Sequence, residues 1–151
     1  MFVPVVDSNK NPLMPTTPSR ARRMIKVGEA TPFFRKGIFC VRLNREPSDR
    51  KFQDVALGID PGSKKEGYTV KSEAHTFLNI TADAKTDVKD KIETRRGARR
   101  SRRQRKAPCR KNRLNRARSK NHIPPSTKAR WDWKLSILNV LRQIFPVSHV
   151  I

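Results

Sequence analysis

The sequence predicts a mixed α/β protein: a strand-rich core, split and incomplete, with a small basic β-α-ββ module in front and an arginine-rich helix inserted. Three observations predict it. Apolar segments with strand-like patterning recur at 2–6, 31–43, 55–60 and 66–80. Helix signals follow Thr17-Pro18 and the Ser126-Thr127 pair. The charge is also unevenly distributed: 35 Lys and Arg stand against 13 Asp and Glu among 151 residues, a formal net charge of +22. Residues 1–50 carry +6, residues 51–94 carry −1, residues 95–118 carry +13 with no acid at all, and residues 119–151 carry +4. The balanced stretch is the expected folded core, and the pI of about 11.4 demands a polyanionic partner. The apolar runs are too short to span a bilayer and no signal-peptide pattern opens the chain, so a membrane is not the expected partner.

In chain order, Phe2 to Val6 reads as a short strand, followed by the turn-rich Asn9-Lys10-Asn11-Pro12 and then Leu13-Met14-Pro15. Thr17 is placed to cap a helix with Pro18 at its first position, where the missing N–H has no helical partner anyway. Ala21, Met24 and Ile25 form its apolar stripe and Gly28 stops it, while Arg20, Arg22, Arg23 and Lys26 project around the rest. Residues 31–35 and 38–43 flank Lys36-Gly37 as a hairpin. Residues 1–50 thus form one module with a basic face.

Val55-Ala56-Leu57-Gly58-Ile59-Asp60-Pro61-Gly62-Ser63 reads as a buried-type strand ending in an acid and a tight turn, and 66–70 and 74–80 as two further strands. Three sequential antiparallel strands opening on an aspartate are how an RNase H-like fold begins. The placement has a chemical reason: cleaving a phosphodiester with Mg²⁺ needs carboxylates converging on the metal, and a strand end holds one oxygen donor rigidly. Asp-Pro-Gly is equally a common turn. Glu66 and Glu73 read as solvated turn acids. Cys40 and Cys109 lack partner spacing, as do His75, His122 and His149; this speaks against a zinc finger or disulfide framework and fits a reducing, cytoplasmic compartment.

The run 95–106 places Arg95, Arg99, Arg102 and Lys106 on one helical stripe and Arg96, Arg100 and Arg103 on the next, with Arg105 beyond. Such a segment repels itself, so in isolation it is expected to be largely disordered. Against phosphates each guanidinium can make a bidentate bond, and eleven Arg against two Lys in 95–118 match that use. Pro108 is expected to end or kink the helix, with Arg110 and Arg113 in a second basic piece. With no aromatic residue in 95–118, backbone clamping rather than base stacking is its expected mode. At the chain's end a helix bearing Trp133, Ile137, Leu141 and Ile144 on one face stops before Pro146, and 147–151 begins a strand.

Together these motifs resemble the N-terminal part of the IscB/IsrB family of transposon-encoded RNA-guided DNA nucleases. Asn11-Pro12-Leu13-Met14-Pro15 is similar to its PLMP signature, Leu57-Gly58-Ile59-Asp60-Pro61-Gly62 to its first RuvC segment, and Arg95-Arg96-Gly97-Ala98-Arg99-Arg100 to its RRxRR bridge helix. The resemblance implies a division into a PLMP-like module (1–50), a first RuvC segment (51–94), a bridge helix (95–120) and a RuvC core helix with the start of the next strand (121–151). It implies Asp60 as the first Mg²⁺ ligand, basic side chains that hold guide RNA and target DNA, a prokaryotic cytoplasm, and further ligands from the rest of a RuvC core beyond Ile151. An HNH domain would separate the IscB arrangement from the IsrB one. A non-catalytic RNA-binding protein similar to a small ribosomal protein and a RuvC-type Holliday-junction resolvase are the competing readings; the first does not require the Asp60 motif, and the second carries neither the first fifty residues nor the arginine helix.

Overall fold

A computed structural model describes residues 2–47, 50, 52–106 and 123–151. It divides into two compact units, residues 1–84 with 135–151, and residues 85–134.

The first unit contains two four-stranded sheets. Strands β1 (Val3–Val6), β2 (Pro12–Thr16), β3 (Ala30–Arg35) and β4 (Ile38–Leu43) make the first, in the order β2-β1-β4-β3, with helix α1 (Pro18–Lys26) between β2 and β3 in sequence. The expected β-α-ββ module is therefore corrected to ββαββ. The sequence reads Asn9 to Pro12 as a turn and assigns no strand to Leu13-Met14-Pro15; β2 forms there as an edge strand, a position that tolerates proline. The central strand β1 accommodates Pro4 in the same spirit, with a register shift between Val3 and Val5. The β1–β2 turn is organised by Asp7, which is 1% exposed: its carboxylate accepts the Asn11 backbone N–H at 2.8 Å and the Asn11 side-chain amide at 3.0 Å. Burial pushes the Asp7 pKa up, but these bonds, the Asn9 backbone N–H and the nearby Arg50 guanidinium outweigh it, so the carboxyl is held below its ordinary value. Thr17 caps α1, accepting the Arg20 N–H at 3.4 Å with Pro18 in the first turn, as the sequence predicts. The β3–β4 turn has Lys36 at φ 48° and Gly37 at φ 84°, the paired positive values that match strand twist in a two-residue hairpin.

Alternation gives the first sheet two buried faces. Val3, Val5, Leu13, Ala30, Val41 and Leu43 pack under Ala21 of α1, with Met24 and Ile25 at the margin. Cys40, Phe33 and Ile38 belong to a second, larger core shared with the other sheet. Cys40 is fully buried, and burial raises its thiol pKa to about 11, so it behaves as a small apolar side chain.

The second sheet, β5 (Val55–Asp60), β6 (Lys65–Ser72), β7 (Thr76–Asp83) and β8 (His149–Val150), runs in the order β7-β6-β5-β8. β5, β6 and β7 are consecutive and antiparallel, as the sequence predicts, while β8 joins β5 in parallel. Leu57, Tyr68, Val70 and Leu78 point into the core, where Leu141, Ile144 and Phe145 from the end of helix α3 (Pro125–Ile144) meet them. Full burial of such side chains contributes about 1.5–3 kcal/mol each. α3 begins at Pro125 rather than behind Ser126 or Thr127, with the Lys128 N–H bonded to the Pro124 carbonyl at 2.9 Å: proline suits the first position because its missing N–H has no helical partner there.

In the second unit, helix α2 runs from Val88 to Lys106, starting seven residues before the arginine run. The boundary expected at 94/95 therefore falls inside a helix. The expected self-repulsion is countered locally. Arg, Ala and Gln are good helix formers, Asp90 lies in the first turn, and Arg103, Arg105 and Lys106 lie in the last, each favourable to the helix dipole. Asp87, just ahead of the helix, is bonded by the Lys91 ammonium, which holds its carboxyl below the ordinary range. No helix among the described residues is long and apolar enough to cross a membrane.

Candidate functional site

Helix α2 carries Arg95, Arg96, Arg99, Arg100, Arg102, Arg103, Arg105 and Lys106, and every one of these residues is exposed. At about 100° per residue the cations sweep more than half of the helix circumference. The remaining side holds Gly97, Ser101 and Gln104, at spacings of four and three residues. Among the described residues none of these cations is in an ion pair; Arg99 and Arg105 instead donate their Nε–H to the carbonyls of Arg95 and Ser101 at 3.2 and 3.4 Å. A helix that concentrates guanidinium groups and, among the described residues, pairs none of them with a carboxylate keeps its donor forks available to an external anion. Arg110 and Arg113, also expected to bind nucleic acid, lie outside the described residues, as does the Pro108 break.

In the other unit, Arg20, Arg22 and Arg23 are exposed on α1. Arg20 and Arg23 line an open cavity of about 390 Å³ with Arg45, Arg50, Met14, Met24 and Phe52. Two of these cations are already paired: Arg45 reaches Glu29 at 2.9 Å, and Arg50 reaches Glu46 at 3.4 Å and Asp7 at 3.5 Å. Arg20, Arg22 and Arg23 have no ion pair among the described residues.

Asp60 is the last residue of β5 and is exposed. Its cross-strand neighbours are Gly67 on β6 and, beyond it, Thr81 on β7. A Cβ on Gly67 would stand 3.4 Å from the Asp60 Cβ and 3.9 Å from Oδ2, so glycine leaves the flank of this carboxylate open. The following turn is more tightly constrained: a Cβ on Gly62 would lie 1.8 Å from the Lys65 carbonyl oxygen, which excludes any side chain without backbone movement. Gly58, Thr69 and Asn79 pair across the strands next to this row and share its face, which lacks the large apolar residues of the opposite one.

Glu66 is not the solvated turn acid that its position in the sequence implied. It is a strand residue, 4% exposed, on the core-facing side with Tyr68 and Val70, and it accepts the Tyr68 hydroxyl at 2.9 Å. Burial, and then the bond and charge of Glu66, drive the tyrosine pKa strongly upward. Strand alternation therefore places Glu66 on the face opposite Asp60. Glu73 is exposed, as expected, and the His75 ring lies against Phe2 at 5.3 Å. Among the described residues no cluster of three or more His, Cys, Asp or Glu could hold a metal ion. Mg²⁺ prefers near-octahedral oxygen coordination, and Asp60 supplies one protein donor; these residues do not make a complete site.

Three features escaped sequence reading. Asp7 carried a signal in its spacing of four residues to Asn11, the reach of an aspartate that closes a turn on its own backbone. The Glu66–Tyr68 pair was legible only as two residues on one strand face. The exposed pair Phe34 and Phe39 gave no sequence signal beyond a generic strand. No curated protein matches this sequence. The family profile described as RRXRR protein matches residues 3–151, nearly the entire sequence, and on that match the chain belongs to the RRXRR family.

Proposed function

We propose that this chain is the N-terminal portion of an RNA-guided, Mg²⁺-dependent DNA endonuclease of the IscB/IsrB type, with α2 as the bridge helix that grips guide RNA and the guide–target duplex. RRXRR membership supports a nuclease-associated role. The observation that carries the reading is the arc of exposed guanidinium groups on α2, none in an ion pair among the described residues. Sequence discrimination in such systems belongs to base pairing, and the protein contributes backbone contacts that hold geometry.

An RNase H-like core is the second part of the proposal. Its support is a sheet of three consecutive antiparallel strands with the next strand added in parallel beside the first, and an exposed aspartate ending that first strand. Ile151 bonds on both sides to β5, its N–H to the Leu57 carbonyl and its carbonyl to the Ile59 N–H, both at 2.9 Å. A strand that continued in this register would set its second further residue beside Asp60 on the same face, where the resemblance implies the next acidic ligand. Mg²⁺ held there would supply the electrostatic stabilisation for phosphodiester cleavage. With Asp60 as the one candidate ligand named in this chain, the chain alone binds nucleic acid in this reading, and cleavage needs the further donors that the resemblance implies.

The test is RNA binding against salt. Six phosphate contacts from Arg95, Arg96, Arg99, Arg100, Arg102 and Arg103 give a slope of log K against log salt of about −5 on a duplex, taking about −0.9 per phosphate. Replacing all six by Gln should flatten the slope toward the contribution of the remaining cations. An unchanged slope removes α2 from the interface. In a longer form that completes the ligand set, Asp60→Ala should abolish Mg²⁺-dependent nicking, whereas cleavage by the 151-residue chain that survives Asp60→Ala would place the chemistry elsewhere.

A further inference from the structure

The β3–β4 hairpin ends in an exposed aromatic pair. Phe34 and Phe39 stand directly opposite each other, with ring centroids 5.5 Å apart and planes at 66°. Phe34 is 71% exposed and Phe39 38%. They lie on the face of the first sheet that α1 covers. However, α1 shields only the base of the hairpin, where Ala30, Val41 and Leu43 are buried, and leaves the tip open. The surroundings are basic. Arg35 and Arg42 alternate to the other face with Phe33 and Cys40, but Lys36 sits at the tip, and α1, packed on the same face as the two rings, carries Arg20, Arg22 and Arg23, none of them in an ion pair among the described residues.

We infer that this hairpin tip is a stacking site for one unpaired base of a single-stranded nucleic acid, with Phe34 as the platform and Phe39 holding its edge. The inference rests on the nucleic-acid reading above and adds to it a contact that α2, lacking aromatics, cannot make. A ring this exposed presents a face on which any base can lie, and stacking on such a face tolerates every sequence. The local charge selects the occupant. Lys36 at the tip and the three arginines of the helix packed on this face attract a phosphate chain, whereas a neutral apolar partner would gain nothing from them. A base inside a duplex is excluded because both its faces are already occupied by its neighbours. The hairpin therefore favours a strand end, loop or bulge. The turn suits a rigid projection: Lys36 and Gly37 close it in two residues, and β3 pairs with β4 along its whole length.

The experiment compares the parent chain with Phe34→Ala, Phe34→Leu and Phe34→Trp on three probes: a short oligouridylate, an abasic strand of the same length and charge, and a blunt RNA–DNA duplex. Stacking of one base predicts that Phe34→Ala and Phe34→Leu weaken oligouridylate binding by about 5–100-fold, while Phe34→Trp binds at least as tightly as the parent. The abasic strand should bind parent and variants alike, and the duplex should not distinguish them. Leu retains apolar bulk at an exposed position, so its loss reports the π face rather than the fold. If Phe34→Leu binds oligouridylate like the parent, or if the abasic strand binds the parent as tightly as the base-bearing one, the stacking site is wrong and the duplex-binding role of α2 stands. A parent that binds none of the probes overturns both readings.

Discussion

The strands 55–83 and the helix 88–106 adjoin in sequence and are built on opposite rules. Each strand of β5–β7 has one face that the fold consumes and one that it leaves polar, and Asp60 acquires its setting from what lies beside it: Gly67 across the ladder, Gly62 in the turn, and a core of Leu57, Tyr68 and Val70 beneath. Helix α2 has no buried residue at all. Its chemistry is carried by composition and spacing alone, and its stability draws on propensity and end charges rather than on packing. A carboxylate that is to hold a metal would need such a scaffold to aim it, whereas cations that are to bind phosphates would need number and a partner that orders them. Mutations should consequently sort by region: those in the first unit change stability, and those in α2 change binding.

The largest effect should come from the shared core. Leu141→Ala removes a side chain that is 1% exposed among Leu57, Val70 and Phe145, and should cost about 2–5 kcal/mol in a urea melt, whereas Arg→Gln changes on α2 should leave the midpoint unchanged or raised. Equal destabilisation by both would erase the distinction between the regions. Gly62→Ala comes next, at about 1–3 kcal/mol, because its Cβ meets backbone rather than a yielding side chain. A neutral result would mean that the Asp60 turn is looser than drawn.

Acid should act on the first unit through Asp7. Its folded pKa lies below the ordinary 3.8, so the stability it contributes is present at neutral pH and is lost as pH falls below about 4 and through the lowered value. Asp7→Asn should flatten that limb of a pH–stability curve; an unchanged limb would mean that other carboxyls set it. The smallest effect should have the opposite sign. Gly97, midway along α2, has open space where a methyl group would stand, so Gly97→Ala should raise helix content, worth about 0.5–1 kcal/mol, and should be visible by circular dichroism. If it raises helicity but weakens RNA binding, a close approach of the bound strand to that side of the helix is indicated.

Much of this was legible in the sequence where a local rule decides the outcome. Thr17-Pro18 capped α1, Lys36-Gly37 closed the hairpin, and the alternation around Tyr68 and Val70 produced β6. Legibility failed where the outcome depends on non-local placement. The prolines of β2 are tolerated only because the strand is an edge, and Glu66 is buried only because β7 and the core enclose it. The start of α2 was hidden for a different reason: the acidic first turn and the arginine run differ so sharply in charge that they read as separate segments. Asp60 was readable as a strand-terminal acid, but the glycine that opens its flank became visible only through the register.

The claim most exposed to test is that the guanidinium groups of α2 clamp phosphates at defined positions. Replacing Arg95, Arg96, Arg99, Arg100, Arg102 and Arg103 together by lysine keeps the charge and similar helix propensity but removes the bidentate fork. Titrating parent and all-lysine chains with a structured guide RNA and with random RNA, at several salt concentrations, separates the two uses of charge. The clamp predicts a loss on the structured RNA of about 0.5–1 kcal/mol for each fork, with a smaller loss on random RNA. An all-lysine chain that binds both RNAs as tightly as the parent would show that α2 is a charge reservoir, and the bridge-helix account would be wrong.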